Sequence, residues 1–236
     1  TVCTNLAFDH PDVYKDFAET KEAYTAFFNQ IKPGGVLIIN EKDVPEVDSH
    51  SAAEVRTFGA IGECDYLYVY DEAESKNGVT KATLVVDNTR YELILRVPGR
   101  YNVENAVAAL AACDSLGIDL QAAIDALSSF ASTKRRYERI ETNLDVMIFD
   151  DYAHHPSEIE AVIRATKNWF PQKQIFVAFQ PHTYSRTKAL LSDFAAALSL
   201  APNLILLDIF ASARESVDES ISSQILADEI TAAGFT

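Results

Sequence analysis

The sequence predicts an α/β protein in two parts, the second built on a doubly wound, mainly parallel sheet. Three observations carry this. After residue 134, apolar runs of strand length alternate with segments of helical periodicity, a rhythm that requires right-handed crossovers between parallel strands. Earlier, β-rich runs at 82–87 and 91–97 flank Asn88-Thr89-Arg90, the pattern of an antiparallel hairpin. Between the parts, Ala131-Ser132-Thr133 is small and polar and precedes a basic cluster, which marks a domain boundary. The expected domains are 1–133 and 134–236.

The elements follow in order. Tyr14, Phe17, Ala18, Tyr24, Phe27, Phe28 and Ile31 fall at helical spacing, and Lys32-Pro33-Gly34-Gly35 ends that helix before a buried strand at 36–39. A strand at 66–70 precedes the hairpin. Pro98-Gly99 leads into an Ala-rich helix at 102–116, which Gly117 stops. Asp119 caps a short helix running to Phe130. In the second part, strands are expected at 146–149, 175–179 and 204–207. Helices are expected at 156–169, with Pro156 in its first turn, at 185–200, and from about Ser220.

Composition narrows the function. The 236 residues are 48% hydrophobic and 23% charged, a globular balance, and no run of 18 apolar residues is present to span a membrane. A net charge of −15 argues against nucleic acid as a partner. The basic side chains Lys134, Arg135, Arg136 and Arg139 are clustered, with Arg186 and Lys188 further on, which suggests a small anionic ligand. Cys3, Cys64 and Cys113 are far apart and form no CxxC pair, as expected of reduced thiols in a cytoplasmic protein. Thr1-Val2-Cys3-Thr4-Asn5 has neither an initiator Met nor the layout of a signal peptide, and the C-terminus stops where another strand is expected. Both ends read as the interior of a longer protein.

In parallel α/β sheets, ligands collect beyond the carboxyl ends of the strands. The unusual polar residues fall there: Asp150-Asp151-Tyr152-Ala153-His154-His155 after the first strand of the second part, Gln180 to Arg186 after the next, and Asp208 with Ser212 to Glu215 after the third. Asp150, Asp151, His154 and His155 could also ligate a divalent metal, as in a metal-dependent hydrolase, but no HxH or HExxH spacing supports chelation. Asn102 and Asn105 lie three apart at a helix start and share a face. Carboxamides offer donor and acceptor together, matching an adenine edge, although an Asn there can also be a simple cap. His10 stands between Asp9 and Asp12 after the short β-like run at 2–4, whereas His50 reads as solvated in an acidic loop.

Taken together, TNLAFDHPD, GRYNVENA, the RRYE segment, DDYAHHPSEI, and FQPHTYSRT with DIFASARE resemble the Mur ligases, ATP-dependent amide-forming enzymes of peptidoglycan assembly. The resemblance spans nearly the whole chain and implies a partial central ATPase domain followed by a Rossmann-like C-terminal domain. DDYAHHP with FQPHTYSRT looks most like the L-alanine-adding branch. That implies ligation of L-alanine to UDP-N-acetylmuramate through an acyl phosphate, using ATP and Mg²⁺. The murein tripeptide ligases are the nearest alternative within the family, and a non-catalytic binding module is a further one. Carried onto matching positions, the resemblance implies His10 as a magnesium ligand and Asn102 and Asn105 as adenine contacts. It implies Arg136 reaching across the domain junction to the nucleotide phosphates, and Asp151 with Tyr152 at the nucleotide ribose. His154, His155, His182 and Arg186 would line the side where alanine meets the acyl phosphate, His154 or His155 serving as base. There are departures: Tyr101 stands where many members carry His, and Thr183 where many carry Arg. No G-x-x-x-x-G-K-S/T loop occurs in the 236 residues, so this polypeptide alone is expected to be inactive.

Overall fold

Parallel pairing begins at the first residues. The computed structural model describes residues 1–8, 13–47, 53–212 and 215–234. β1 (Val2–Cys3) lies beside β2 (Val36–Asn40), then come β3 (Glu54–Gly59) and β4 (Tyr66–Asp71), all parallel. β5 (Thr80–Val86) and β6 (Thr89–Leu95) extend this sheet antiparallel, giving six strands in the order β1-β2-β3-β4-β5-β6. The sheet is thus mainly parallel with an antiparallel edge. Leu37, Ile38 and Ile39 of β2 are all buried, as a strand covered on both faces requires.

The hairpin is tighter than the sequence suggests. Val86 pairs with Thr89, so the turn is Asp87-Asn88 and not Asn88-Thr89-Arg90. Both turn residues have positive φ, 48° and 62°, the mirror-image turn whose twist matches a two-residue hairpin. Helix α1 (Phe17–Phe28) is capped by Asp16, whose side chain accepts the Glu19 amide at 3.0 Å. α2 (Arg100–Ser115) buries Val103, Ala106, Val107, Leu110 and Ala111, small and branched residues that let it lie close on the sheet. α3 (Leu120–Leu127) starts at the expected cap, Asp119, which accepts the Ala122 amide at 2.8 Å.

The chain forms two units: 1–74, 79–96 and 100–130 in one, and 75–78, 97–99 and 131–236 in the other. In the second, β7 (Glu138–Ile140) pairs antiparallel with β8 (Ile148–Asp150), and β9 (Val177–Phe179) pairs parallel with β10 (Leu204–Leu206). Among the described residues these are its ladders, each two-stranded. α4 (Pro156–Trp169), α6 (Leu191–Leu198) and α7 (Ser223–Ala232) close a core of Ile159, Ile163, Phe179, Phe194, Leu198, Leu226 and Ile230. α4 has the bounds its sequence predicts. The helix expected over 185–200 is instead two, α5 (Tyr184–Ala189) and α6, broken at Leu190 (φ −114°, ψ 27°). Successive residues of an unbroken helix point about 100° apart; the break lets Leu190 and Leu191 both pack against the core. Among the described residues no helix is long and apolar enough to cross a membrane.

Candidate functional site

In the second unit the polar loops that follow the strands meet. Asp151, just past β8, is partly buried, and both its oxygens are engaged. Oδ1 accepts the Ala153 amide at 2.7 Å and Oδ2 the Tyr137 amide at 2.8 Å. Burial pushes this carboxyl above the ordinary Asp range, while the two amides and the neighbouring Arg136 guanidinium pull it down. The Tyr152 amide donates to Arg135 O at 2.8 Å, and the Arg135 guanidinium lies 4.2 Å over the Tyr152 ring. The Arg135–Tyr137 segment is thus held to the Asp151 loop from both sides. Arg135 and Tyr137 have φ of 57° and 54°, a left-handed backbone that costs roughly 1–2 kcal/mol per residue and needs such bonds to hold it.

The two adjacent histidines differ. His154 Nδ1 is 2.8 Å from Tyr152 O. A carbonyl can only accept, so the proton sits on Nδ1 and Nε2 is left as a base. His155 Nδ1 accepts the Ser157 amide and lies 2.8 Å from Ser157 Oγ, capping α4 in a box that Glu158 completes. Its neutral ring therefore carries the proton on Nε2.

His182 stands at the end of β9, bridged to Phe210 and stacked on its ring at 5.6 Å. Burial lowers its pKa, and so does the neighbouring Arg186 guanidinium, against an opposing pull from Glu215. Arg186 Nη1 donates to His182 O at 3.1 Å. Glu215, from the loop beyond β10, accepts the Tyr184 and Ser185 amides at 2.8 Å each, capping α5 where Thr183 makes no side-chain cap bond. Asp151 has Arg136 and Glu158 as charged neighbours, Glu158 Oε2 lies 3.7 Å from His154 Nδ1, and His182 has Arg186, His154 and Glu215 near it.

Asn102 and Asn105 lie on α2 in the first unit. The helix begins at Arg100, so Asn102 sits inside its first turn and not at its cap. Asn105 is exposed. Beside them is a cluster that local sequence reading does not flag: the Tyr68 hydroxyl donates to Glu104 Oε1 at 2.6 Å and accepts from Arg100 Nε at 3.1 Å. The only local signal was that Glu104 stands between the two asparagines. Asp43, also unflagged, is buried and accepts the Leu6 amide at 3.0 Å. His10 and His50 lie outside the described residues.

The metal reading of the Asp150–His155 loop finds little support in its geometry. Asp151 is turned onto amides, and His155 uses its Nδ1 lone pair in the helix cap. Among the described residues no three His, Cys, Asp or Glu side chains are placed to hold a metal ion.

Two family descriptions match the chain: the Mur ligase middle domain over residues 1–113, and the Mur ligase glutamate ligase domain over residues 135–235. The chain belongs to the Mur ligase family. Among curated Mur ligases it is 36% identical to the UDP-N-acetylmuramate–L-alanine ligase of Desulfitobacterium hafniense, over 99% of this chain and 52% of that protein. It is also 36% identical to the enzyme of that name from Cytophaga hutchinsonii, over 95% of this chain and 48% of that protein. The chain therefore spans about half the length of the curated relatives it matches. Its fold is similar to that of the UDP-N-acetylmuramate-alanine ligase MurC of Thermotoga maritima, with a TM-score of 0.75 and 27% identity, over 99% of this chain and 49% of that one. It shares a fold with the MurF ligase of Thermotoga maritima solved with ADP, at a TM-score of 0.70 and 16% identity, over 98% of this chain and 60% of that one.

Proposed function

We propose that this chain is the part of an ATP-dependent ligase that joins L-alanine to UDP-N-acetylmuramate in peptidoglycan precursor synthesis. The observation that carries the reading is that the chain's curated relatives bear that name over nearly all of its length, with Arg136 near Asp151 and Arg186 bonded to the His182 carbonyl in the second unit. Domain by domain, residues 1–133 are the later part of the ATP-binding domain and 134–236 the ligase domain.

The reaction is acyl transfer through a phosphate. A muramyl carboxylate oxygen attacks the γ-phosphorus of ATP, and ADP leaves. The alanine amine attacks the acyl carbon, loses a proton, and the C–O bond to phosphate breaks. Positioning and charge neutralisation supply most of the acceleration in such steps. Asn102 and Asn105 take the adenine edge, Asp151 and Tyr152 the ribose, and Arg136 the phosphates. Arg186 and His182 face the anionic intermediate, where fixed cationic donors are most effective. Of the two candidate bases we favour His154, because its Nε2 lone pair is available while His155 presents an N–H. Magnesium neutralises phosphate charge in such chemistry; its candidate ligand His10 lies outside the described residues, and no step above is routed through it.

The test uses the protein carrying its residues upstream of Thr1. With ATP and UDP-N-acetylmuramate, L-alanine should release phosphate in proportion to amide formed, and the murein tripeptide should not. Release with tripeptide and none with alanine would reject the assignment.

A further inference from the structure

We propose that Tyr68, Glu104 and Arg100 form a positioning triad that sets the selectivity of Asn102 and Asn105 for adenine. The inference rests on the adenine role proposed above. Tyr68, on β4, is 1% exposed and is among the largest fully buried side chains. Its hydroxyl ties the sheet to the first turns of α2: it donates to Glu104 Oε1 at 2.6 Å and accepts from Arg100 Nε at 3.1 Å. Arg100 also lies 5.7 Å from the Tyr68 ring centroid and 3.6 Å from Glu104, its i+4 partner. The other Glu104 oxygen faces Lys42 Nζ at 3.9 Å, from the 3-10 turn Glu41–Glu46. Burial and the Glu104 carboxylate push the phenol above its ordinary range, so it stays a donor at every working pH.

Glu104 lies between the two asparagines, two residues after Asn102 and one before Asn105. A helix start has no preceding turn to fix its rotation, and its first four amides lack helical partners. Gly99, which precedes Arg100 at the helix start, has no side chain to cap α2. Its azimuth is therefore set by whatever side chains grip it, and the Tyr68–Glu104 bond is the short, desolvated one. A hydrogen bond to a charged group is stronger than one between neutral partners. Rotating the turn by even a fraction of a residue's 100° swings both carboxamides off a base edge. A bidentate amide reads adenine through an N–H donor and a ring-nitrogen acceptor side by side. Hypoxanthine exchanges that donor for a carbonyl, so a well-aimed carboxamide rejects it and a loosely aimed one does not.

The experiment compares ATP with ITP in steady-state ligation by the protein carrying its upstream residues. For the parent, kcat/KM should favour ATP. Asn105→Ala should collapse that preference. Tyr68→Phe, which keeps the ring and the packing, should reduce the ATP/ITP ratio about tenfold, through a raised KM for ATP with kcat within about twofold. Glu104→Ala should do the same, and Glu104→Gln, which still accepts from Tyr68, should restore most of the preference. A ratio of kcat/KM values does not depend on the fraction of enzyme folded, so a loss of stability alone leaves it unchanged. If Asn105→Ala collapses the ratio while Tyr68→Phe and Glu104→Ala leave it intact, the triad proposal is wrong and the adenine reading stands. If Asn105→Ala leaves it intact, the adenine reading falls and takes the triad with it.

Discussion

Replacing Asp151 by alanine removes the acceptor for two backbone amides at once, those of Tyr137 and Ala153. Each is a hydrogen bond to a charged group, worth roughly 1.5–3 kcal/mol. Burial already disfavours the ionised carboxylate, and the site is partly open to water, so the lower end applies. The cost should be about 3 kcal/mol. Asp151→Asn keeps one acceptor but turns an N–H towards the other amide, and should cost about half as much. The assay is built into the molecule. Trp169 is the one tryptophan of the chain and is buried in the second unit, edge-on to Tyr137 at 5.8 Å. Its fluorescence in a urea titration reports this unit separately from the first. With a slope of about 1–3 kcal/mol per molar urea, the midpoint should fall by about 1–3 M for Asp151→Ala. A midpoint within about 0.2 M of the parent would refute the clamp, leaving the carboxylate with only a ligand-binding role.

The same fluorescence should report Phe194→Ala, at a fully buried position in the core of the second unit, as a loss of about 3–5 kcal/mol. In the first unit, Asn88→Ala should cost about 1 kcal/mol and Asn88→Gly nothing, measured by far-ultraviolet circular dichroism, because only glycine accepts the positive φ without strain. His182 should titrate below the ordinary histidine range in an NMR pH series, and Arg186→Gln should raise its midpoint by removing a positive neighbour. The sign for stability follows. A depressed imidazole is neutral in the folded state, so its contribution is present above the unfolded pKa and is lost as the pH falls through the folded one.

What the sequence made legible was local. Helix α4 could be bounded because Pro156 fits only a first turn and its apolar residues repeat at helical spacing. Strand β3 could not be read, because Glu54-Val55-Arg56-Thr57-Phe58-Gly59 has no alternating pattern. Its polar residues are satisfied within the strand and beyond it: Arg56 by Glu54, Tyr66 and Asp114, and Thr57 by Asp65. The site followed the same division. That His154 follows one strand, and His182 and Arg186 the next, could be read from strand–helix alternation alone. The tautomers of His154 and His155 depend on Tyr152 O and the Ser157 amide, which only coordinates reveal. Tyr68 looked like any strand aromatic, since the Glu104 and Arg100 that give it a task are more than thirty positions away.

The most direct test of the ligation chemistry follows an oxygen atom. UDP-N-acetylmuramate labelled with ¹⁸O in its muramyl carboxylate is turned over with ATP and L-alanine by the protein carrying its upstream residues, and the released phosphate is analysed by mass spectrometry. An acyl phosphate intermediate requires one carboxylate oxygen to leave with each phosphate. Amide formation with unlabelled phosphate would contradict it.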